Sequence, residues 1–405
     1  MKTKLLALSV FAATAITVTF YPTIQTALAN TEPSVIIDPP AVIVPIANIE
    51  HPKIEVVFVL DTTGSMSGLI DAAKEKIWSI ASTMASAQNA PDIKMGLVAF
   101  RDRGDEYITK NVALSSDLDS MYAQLMDFEA DGGGDTPESV NQALDDAVNK
   151  MTWSQEQQTY KVVFLVGDAP AHMDYQDDMK YPEIMAQAKK NGIIINTIQA
   201  GQDNQTTRHW QQIASLGKGQ YFQVEQAGNA VAIASPFDKE MAQLSAKLDA
   251  TRLYYGDKEE KAKQASKVAA ARKLHKEASD ESRARRAEFN AAPSGKTNFL
   301  GDGELVDAIS SGHIDLSSIK NEDLPVSIQA MPVAEQELVI KQKAQERDVL
   351  EKEMKVLAEK RSDYLKKEVE EAGGKKDSLD SKIYSSIWSQ AKEKGIVYDE
   401  DSAKY

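Results

Sequence analysis

Val56-Val57-Phe58-Val59-Leu60 followed by Asp61-Thr62-Thr63-Gly64-Ser65-Met66-Ser67 is the stretch that decides the fold of this chain and points to its chemistry. An unbroken apolar run of this kind reads as a buried strand of a mostly parallel sheet. Asp61, Thr63 and Ser65 then fall at every second position, where extended backbone directs side chains the same way. A carboxylate and two hydroxyls on one side make half of a site for a hard cation. Magnesium prefers about six oxygen ligands in octahedral geometry and usually keeps several waters, so the other protein ligands must come from elsewhere.

Two segments supply candidates. Gly132-Gly133-Gly134-Asp135-Thr136-Pro137-Glu138-Ser139 is a glycine-rich loop with Thr136 just ahead of a predicted helix. Asp168 closes the apolar run Val162-Val163-Phe164-Leu165-Val166 much as Asp61 closes its own. A purely local role for Thr63, Ser65 and Thr136 as helix and turn caps leaves the two strand-end aspartates beside a GGGDT loop unexplained.

In this order the three pieces resemble the von Willebrand factor type A (vWA) domain and its metal-ion-dependent adhesion site (MIDAS). That family carries DxSxS on its first loop, a threonine on its second and an aspartate on its third. The resemblance covers roughly Lys53 to Glu225, and it implies Asp61, Thr63, Ser65, Thr136 and Asp168 as ligands of magnesium, with manganese as the alternative. Thr63 replaces the usual serine but keeps its hydroxyl, and Ala169-Pro170 follow Asp168 where many members have glycine. An open position on such an ion would accept a carboxylate from a partner protein. Together with GGGDTPESVNQAL and FLVGDAPAHMDY, the hairpin loop before Tyr107 resembles exported bacterial proteins of this type.

The surrounding pattern is consistent with that fold without help from the family. Strands are predicted over Ile54–Leu60, Ile93–Phe100, Tyr107–Ala113, Lys161–Val166, Ile193–Gln199 and Gln220–Val224. Between them, helical spacing predicts Leu69–Met84, Leu118–Phe128, Glu138–Asn149, Tyr181–Lys190 and Thr207–Leu216. Alternation of this kind specifies an α/β fold: a doubly wound, mostly parallel sheet with helices on both faces. The link from Phe100 to Tyr107 is too short for a crossover helix, which predicts one antiparallel edge strand. Ligands of such sheets bind beyond the carboxyl ends of the strands, where Asp61 and Asp168 stand.

The chain divides by composition into residues 1–29, 30–52, 53–226 and 227–405. Lys2 and Lys4, an apolar stretch from Leu5 to Phe20 and the small-residue site Ala27-Leu28-Ala29 read as a signal peptide. Residues 30–52 carry Pro33, Pro39, Pro40, Pro45 and Pro52 and read as an extended linker. Beyond 226 the sequence is rich in charge and helical in pattern, most clearly over Asp257–Glu288 and Val333–Glu371, which predicts a helical hairpin or coiled-coil-like stalk. Ile383–Trp388 reads as a terminal helix with a small docking face.

Composition narrows the function classes. A formal net charge of −15 over 405 residues disfavours nucleic acid and anionic membranes as partners. No cysteine is present, which excludes disulfides and thiolate metal sites, and the five histidines form no HExxH pair. No stretch after the leader is long and apolar enough to span a bilayer, so a periplasmic or secreted location is expected. The reading is a binding module and not an enzyme. The alternatives are a metal-assisted hydrolase, with His172 or Asp135 as its base, and an envelope assembly protein acting through the helical tail. The Arg103-Gly104-Asp105 triplet reads as ordinary hairpin-turn composition, and His172, Asp174, Asp177 and Asp178 as a solvated acidic loop. Arg283, Arg285 and Arg286 read as a basic cluster facing acidic parts of the same chain.

Overall fold

The computed structural model describes residues 51–134, 136–228, 233–371 and 379–398. Residues 1–50, which hold the expected signal peptide and most of the proline-rich segment, and Asp135 lie outside the described residues.

Six strands form one sheet: β1 (Lys53–Asp61), β2 (Asp92–Phe100), β3 (Thr109–Ser115), β4 (Tyr160–Gly167), β5 (Ile193–Ala200) and β6 (Lys218–Val224). Their order is β3-β2-β1-β4-β5-β6, with every neighbouring pair parallel except β2 and β3. The antiparallel edge strand starts at Thr109, two residues later than its sequence pattern suggests. Tyr107 is diverted from the ladder, and its hydroxyl lies 2.7 Å from Thr62 Oγ1.

Helices α1 (Ser67–Ala85), α2 (Leu118–Met126), α3 (Val140–Asp145), α4 (Tyr181–Lys190) and α5 (Asn204–Leu216) cover the two faces. After α3 the chain continues through Asp146–Lys150 as a wider π turn. Alternation along β1 feeds two cores. Val56 and Phe58 join the side of α1 and α2, while Val57 and Val59 join that of α3, α4 and α5. Since β1 lies between β2 and β4, the helical connections after β1 and β4 leave for opposite faces, and a crevice opens between their ends.

The region after β6 contains α6 (Asp238–Asp249), α7 (Lys258–Glu277), α8 (Asp280–Ala291), α9 (Lys296–Leu300), α10 (Leu305–Ser310), α11 (Val326–Gln329), α12 (Val333–Glu371) and α13 (Leu379–Ala391). It is helical as expected, but it is not a projecting stalk. Helix α7 lies on α2 and α8 on α1, and Leu274 and Phe289 are buried in the same core as Trp78 and Tyr122. The 39-residue α12 buries Leu350, Met354 and Leu357 against α6 and α8. Ile340 and Leu365 of the same helix are buried as well, so one stripe of α12 is covered by the body, while Val333, Leu338, Val349 and Val356 remain exposed.

Helix α13 returns to the sheet. Leu379, Ile383, Tyr384, Ile387 and Ala391 are buried in the core with β4, and α13 touches β4, β5 and β6. The Gln390 amide exchanges hydrogen bonds with that of Asn196 on β5 and accepts one from the Tyr160 hydroxyl at 2.8 Å. Packing of the sheet therefore does not end at residue 226. The final helix of the sheet body is supplied from beyond the long helical segment.

Candidate metal centre

Strand β1 delivers Asp61 to the crevice with its side chain buried. Oδ1 accepts hydrogen bonds from the Thr63 backbone N–H at 2.9 Å and from Thr63 Oγ1 at 2.7 Å. Thr63 Oγ1 lies 3.4 Å from Ser65 Oγ. The three residues are thus brought together, though not by strand alternation. The strand ends at Asp61, and Gly64–Met66 form a 3-10 turn that leads into α1. Asp61 Oδ2 is buried and has no hydrogen-bond partner among the described residues.

Asp168 follows β4 at half-buried depth. Gly167 brings the two strand ends together, since a Cβ there would fall 2.8 Å from Asp61 Cβ. Asp168 Oδ2 accepts from Gln226 Nε2 at 2.6 Å, and the same amide reaches the Ser65 carbonyl at 3.4 Å. Gln226, just past β6, ties the first loop to the third.

The glycine-rich loop closes from the other side. Gly64 donates to the Gly132 carbonyl at 3.3 Å, and Gly133, with φ of +75°, passes so near that a Cβ would lie 2.9 Å from Thr63 Cβ. Left-handed backbone and close approach both require glycine at this position. Thr136 is exposed on this loop and is not part of the hydrogen-bonded chain that joins Asp61, Thr63 and Ser65. Two residues on, Glu138 is buried, its N–H bonded to the Pro170 carbonyl at 2.9 Å and its carbonyl accepting from His172 N at 3.1 Å. The second loop is thereby laced to the third.

Carboxylates crowd this crevice. Burial, then the charge of Asp168, pushes Asp61 up to about 7 against the hydrogen bonds from Thr63. Burial, then Asp61, Asp102, Asp105 and Asp168, pushes Glu138 up to about 9. A buried carboxylate oxygen without a donor, beside like charge, is a costly arrangement that a cation relieves. The donors are carboxylate and hydroxyl oxygens, which suit magnesium or manganese better than copper or zinc. Among the described residues no three His, Asp or Glu side chains converge closely enough to hold a metal by themselves. Hydroxyls and water would complete a coordination sphere built on Asp61 and Asp168.

The rim departs from its sequence reading. Asp105 of the Arg-Gly-Asp triplet accepts from Gly133 N at 3.2 Å and so braces the glycine loop, while Arg103 pairs with Asp178 at 2.6 Å and lies 4.0 Å over the Tyr175 ring. His172 is buried, stacked on Tyr175 at 3.9 Å and 2.7 Å from Asp174 Oδ1. In the segment read as a solvated acidic loop, Asp174 and Asp177 are exposed as expected, whereas the His172 and Asp178 side chains are buried and held by stacking and charge pairing. Asp102 accepts from Ser139 Oγ at 2.7 Å and from the Tyr175 hydroxyl at 2.8 Å. Sequence reasoning missed the parts played by Asp102, Asp105, Glu138 and Gln226. Glu138 at least stood within the quoted glycine-rich loop, whereas Gln226 carried no local signal.

Residues 55–235 match the family model described as von Willebrand factor A domain. von Willebrand factor A domain-containing protein 7 of Homo sapiens is 40% identical over 87 residues, and that of Rattus norvegicus is 40% identical over 88. Each alignment spans 22% of this chain and only 9% of the relative's own length. Among solved structures, the SpRpn10 VWA domain aligns over 44% of this chain and 91% of its own at 14% identity and a TM-score of 0.34. Mussel byssus proximal thread matrix protein 1, described with a zinc-occupied MIDAS motif, aligns over 44% of this chain and 42% of its own at 16% identity and a TM-score of 0.34.

Proposed function

From the premise that residues 55–235 form a von Willebrand factor A domain, we propose that this domain is a divalent-cation-dependent protein-binding module. Asp61, Thr63, Ser65, Thr136 and Asp168 would hold the ion, with magnesium expected and manganese the alternative. When bound, such an ion supplies a hard electrophilic centre with an open position for a carboxylate of a partner protein. The observation that carries this reading is the buried Asp61 Oδ2, which has no hydrogen-bond donor among the described residues and stands beside a second strand-end aspartate. Thr63 and Ser65 add oxygens without adding charge, so two carboxylates balance a divalent ion and leave it reactive toward an acidic group.

Domains of this type typically serve interaction and not catalysis. The hydrolase alternative has less support, because of its two candidate bases His172 is buried and stacked on Tyr175, and Asp135 lies outside the described residues. The leader-like start of the sequence supports action outside the cytoplasm.

Titration of the purified chain with magnesium, followed by capture of proteins from envelope or culture fractions, tests the reading. Cation binding and capture are expected to disappear together in Asp61→Ala, and capture to disappear in EDTA, while the circular dichroism spectrum is retained. Capture that persists in excess EDTA would overturn it.

A further inference from the structure

Glu138 belongs to none of the positions that the family pattern assigns to the ion, yet its carboxylate is the least accounted for in the crevice. Its side chain is 2% exposed and Oε2 has no hydrogen-bond partner among the described residues. The backbone on either side is fixed to the loop after Asp168, through Pro170 and His172. The side chain also reaches the first loop. A Cβ placed on Gly133 would meet Thr63 Cβ at 2.9 Å and Glu138 Oε1 at 3.5 Å, so Glu138 and Thr63 flank the same glycine. A burial this complete is costly for an unpaired carboxylate and calls for a donor that the described side chains do not supply.

We propose that Glu138 is a positioning residue of the cation site, its carboxylate accepting a hydrogen bond from a water on the ion. The proposal rests on the cation-site reading above. Direct ligation is disfavoured because no three acidic or histidine side chains converge closely enough among the described residues. A water on the ion would carry the contact instead, since magnesium and manganese sites built on few carboxylates retain such waters. Carboxylates that orient a first layer of ligands or waters are a recurrent part of metal sites. Glu138 also has the location for this role, since it joins the glycine loop to the loop that carries Asp168. It would hold a water on the ion while the neutral hydroxyls of Thr63 and Ser65 keep the ion open to an acidic partner.

The test uses the full chain, with manganese as the spectroscopic probe. Binding is measured by titration and by water-proton relaxation in wild type, Glu138→Gln and Asp61→Ala, and thermal melting is recorded in EDTA. Glu138→Gln is expected to weaken manganese binding roughly 10- to 100-fold and to change the relaxation enhancement of bound manganese. Its melting temperature in EDTA should be unchanged, because glutamine keeps the shape of the buried side chain and adds no charge. A merely structural glutamate would instead lower that temperature and leave the relaxation signature of bound manganese alone, and this outcome overturns the proposal. Manganese affinity within twofold of wild type in Glu138→Gln, with binding absent in Asp61→Ala, removes Glu138 from the site but leaves the site standing. Wild-type affinity in Asp61→Ala removes the site itself.

Discussion

Arg286 lies along Asp119 as a two-point pair, with Nε 2.6 Å from Oδ1 and Nη2 2.5 Å from Oδ2, and both side chains fully buried. The two residues are 167 positions apart, one in the first turn of α2 and the other in α8. Asp249 joins them at 2.9 Å from Nη2, and Asn298 accepts from the Asp119 backbone N–H at 3.1 Å. Three segments of the helical region thus converge on one helix of the sheet body. The arginine read as part of a basic cluster facing acidic parts of the same chain does face them, as a fully buried tie.

Removing one partner of a fully buried ion pair leaves an uncompensated charge and costs about 3–5 kcal/mol. Arg286→Ala, which leaves buried Asp119 with Lys267 at 4.0 Å as its nearest ion-pair partner among the described residues, is expected to lower unfolding stability by that amount in urea at neutral pH. A loss below about 1 kcal/mol, the range of surface pairs, would mean that water reaches the cluster.

The same pair sets an acid limit. Burial alone would raise the Asp119 carboxyl, but the charge of Arg286, its hydrogen bonds and Lys267 outweigh burial and hold it well below the ordinary carboxylate range. A depressed folded-state value contributes stability that is present above the unfolded value of about 4 and is lost as pH falls below it. Urea midpoints measured from pH 6 down to pH 2.5 should therefore fall more steeply in wild type than in a variant carrying Arg286→Met and Asp119→Leu together. Parallel profiles would refute this assignment.

A chain cut after residue 371 lacks Leu379, Ile383, Tyr384, Ile387, Ile396 and Tyr398, all buried in the core on the α1 side of the sheet. Full burial of one such side chain contributes roughly 1.5–3 kcal/mol, and a domain holds only about 5–15 kcal/mol in total. The truncated chain is expected to lose near-ultraviolet circular dichroism and to bind a hydrophobic dye. A cooperative melt would show instead that the sheet tolerates an uncovered face.

Gly133→Ala places a Cβ at a φ of +75° and against Thr63. The left-handed backbone alone costs about 1–2 kcal/mol for a residue with a side chain. Both the melting temperature and manganese affinity should fall. Gly104→Ala, at a φ of +101° with open space around it, should lower the melting temperature without touching metal binding. Equal manganese affinity in the two variants would separate the glycine loop from the site.

What the sequence determined by itself is the sheet and the ends of its strands. Buried parallel strands are apolar without interruption, so β1 and β4 stood out, and Asp61 and Asp168 are marked as strand-end carboxylates by the runs they close. Helix α4 could be read residue for residue because its apolar spacing is regular and Pro182 stands in its first turn. The turn that gathers Thr63 and Ser65 was less legible, since alternation describes a strand and the strand stops at Asp61.

Tertiary structure alone decided the rest. A charged residue looks the same in sequence whether water or a counter-charge satisfies it. Nothing local therefore marks Arg347 and Arg361 as interior, although they are buried against Glu304 and Asp238 as Arg286 is against Asp119. The return of α13 depends on pairings such as Lys76 with Asp380 at 2.9 Å, between residues 304 positions apart with no shared local pattern. Glu138 and Gln226 belong to the candidate site for the same reason. Their partners are brought to them by the crossing of strands, and periodicity carries no information about which loops meet.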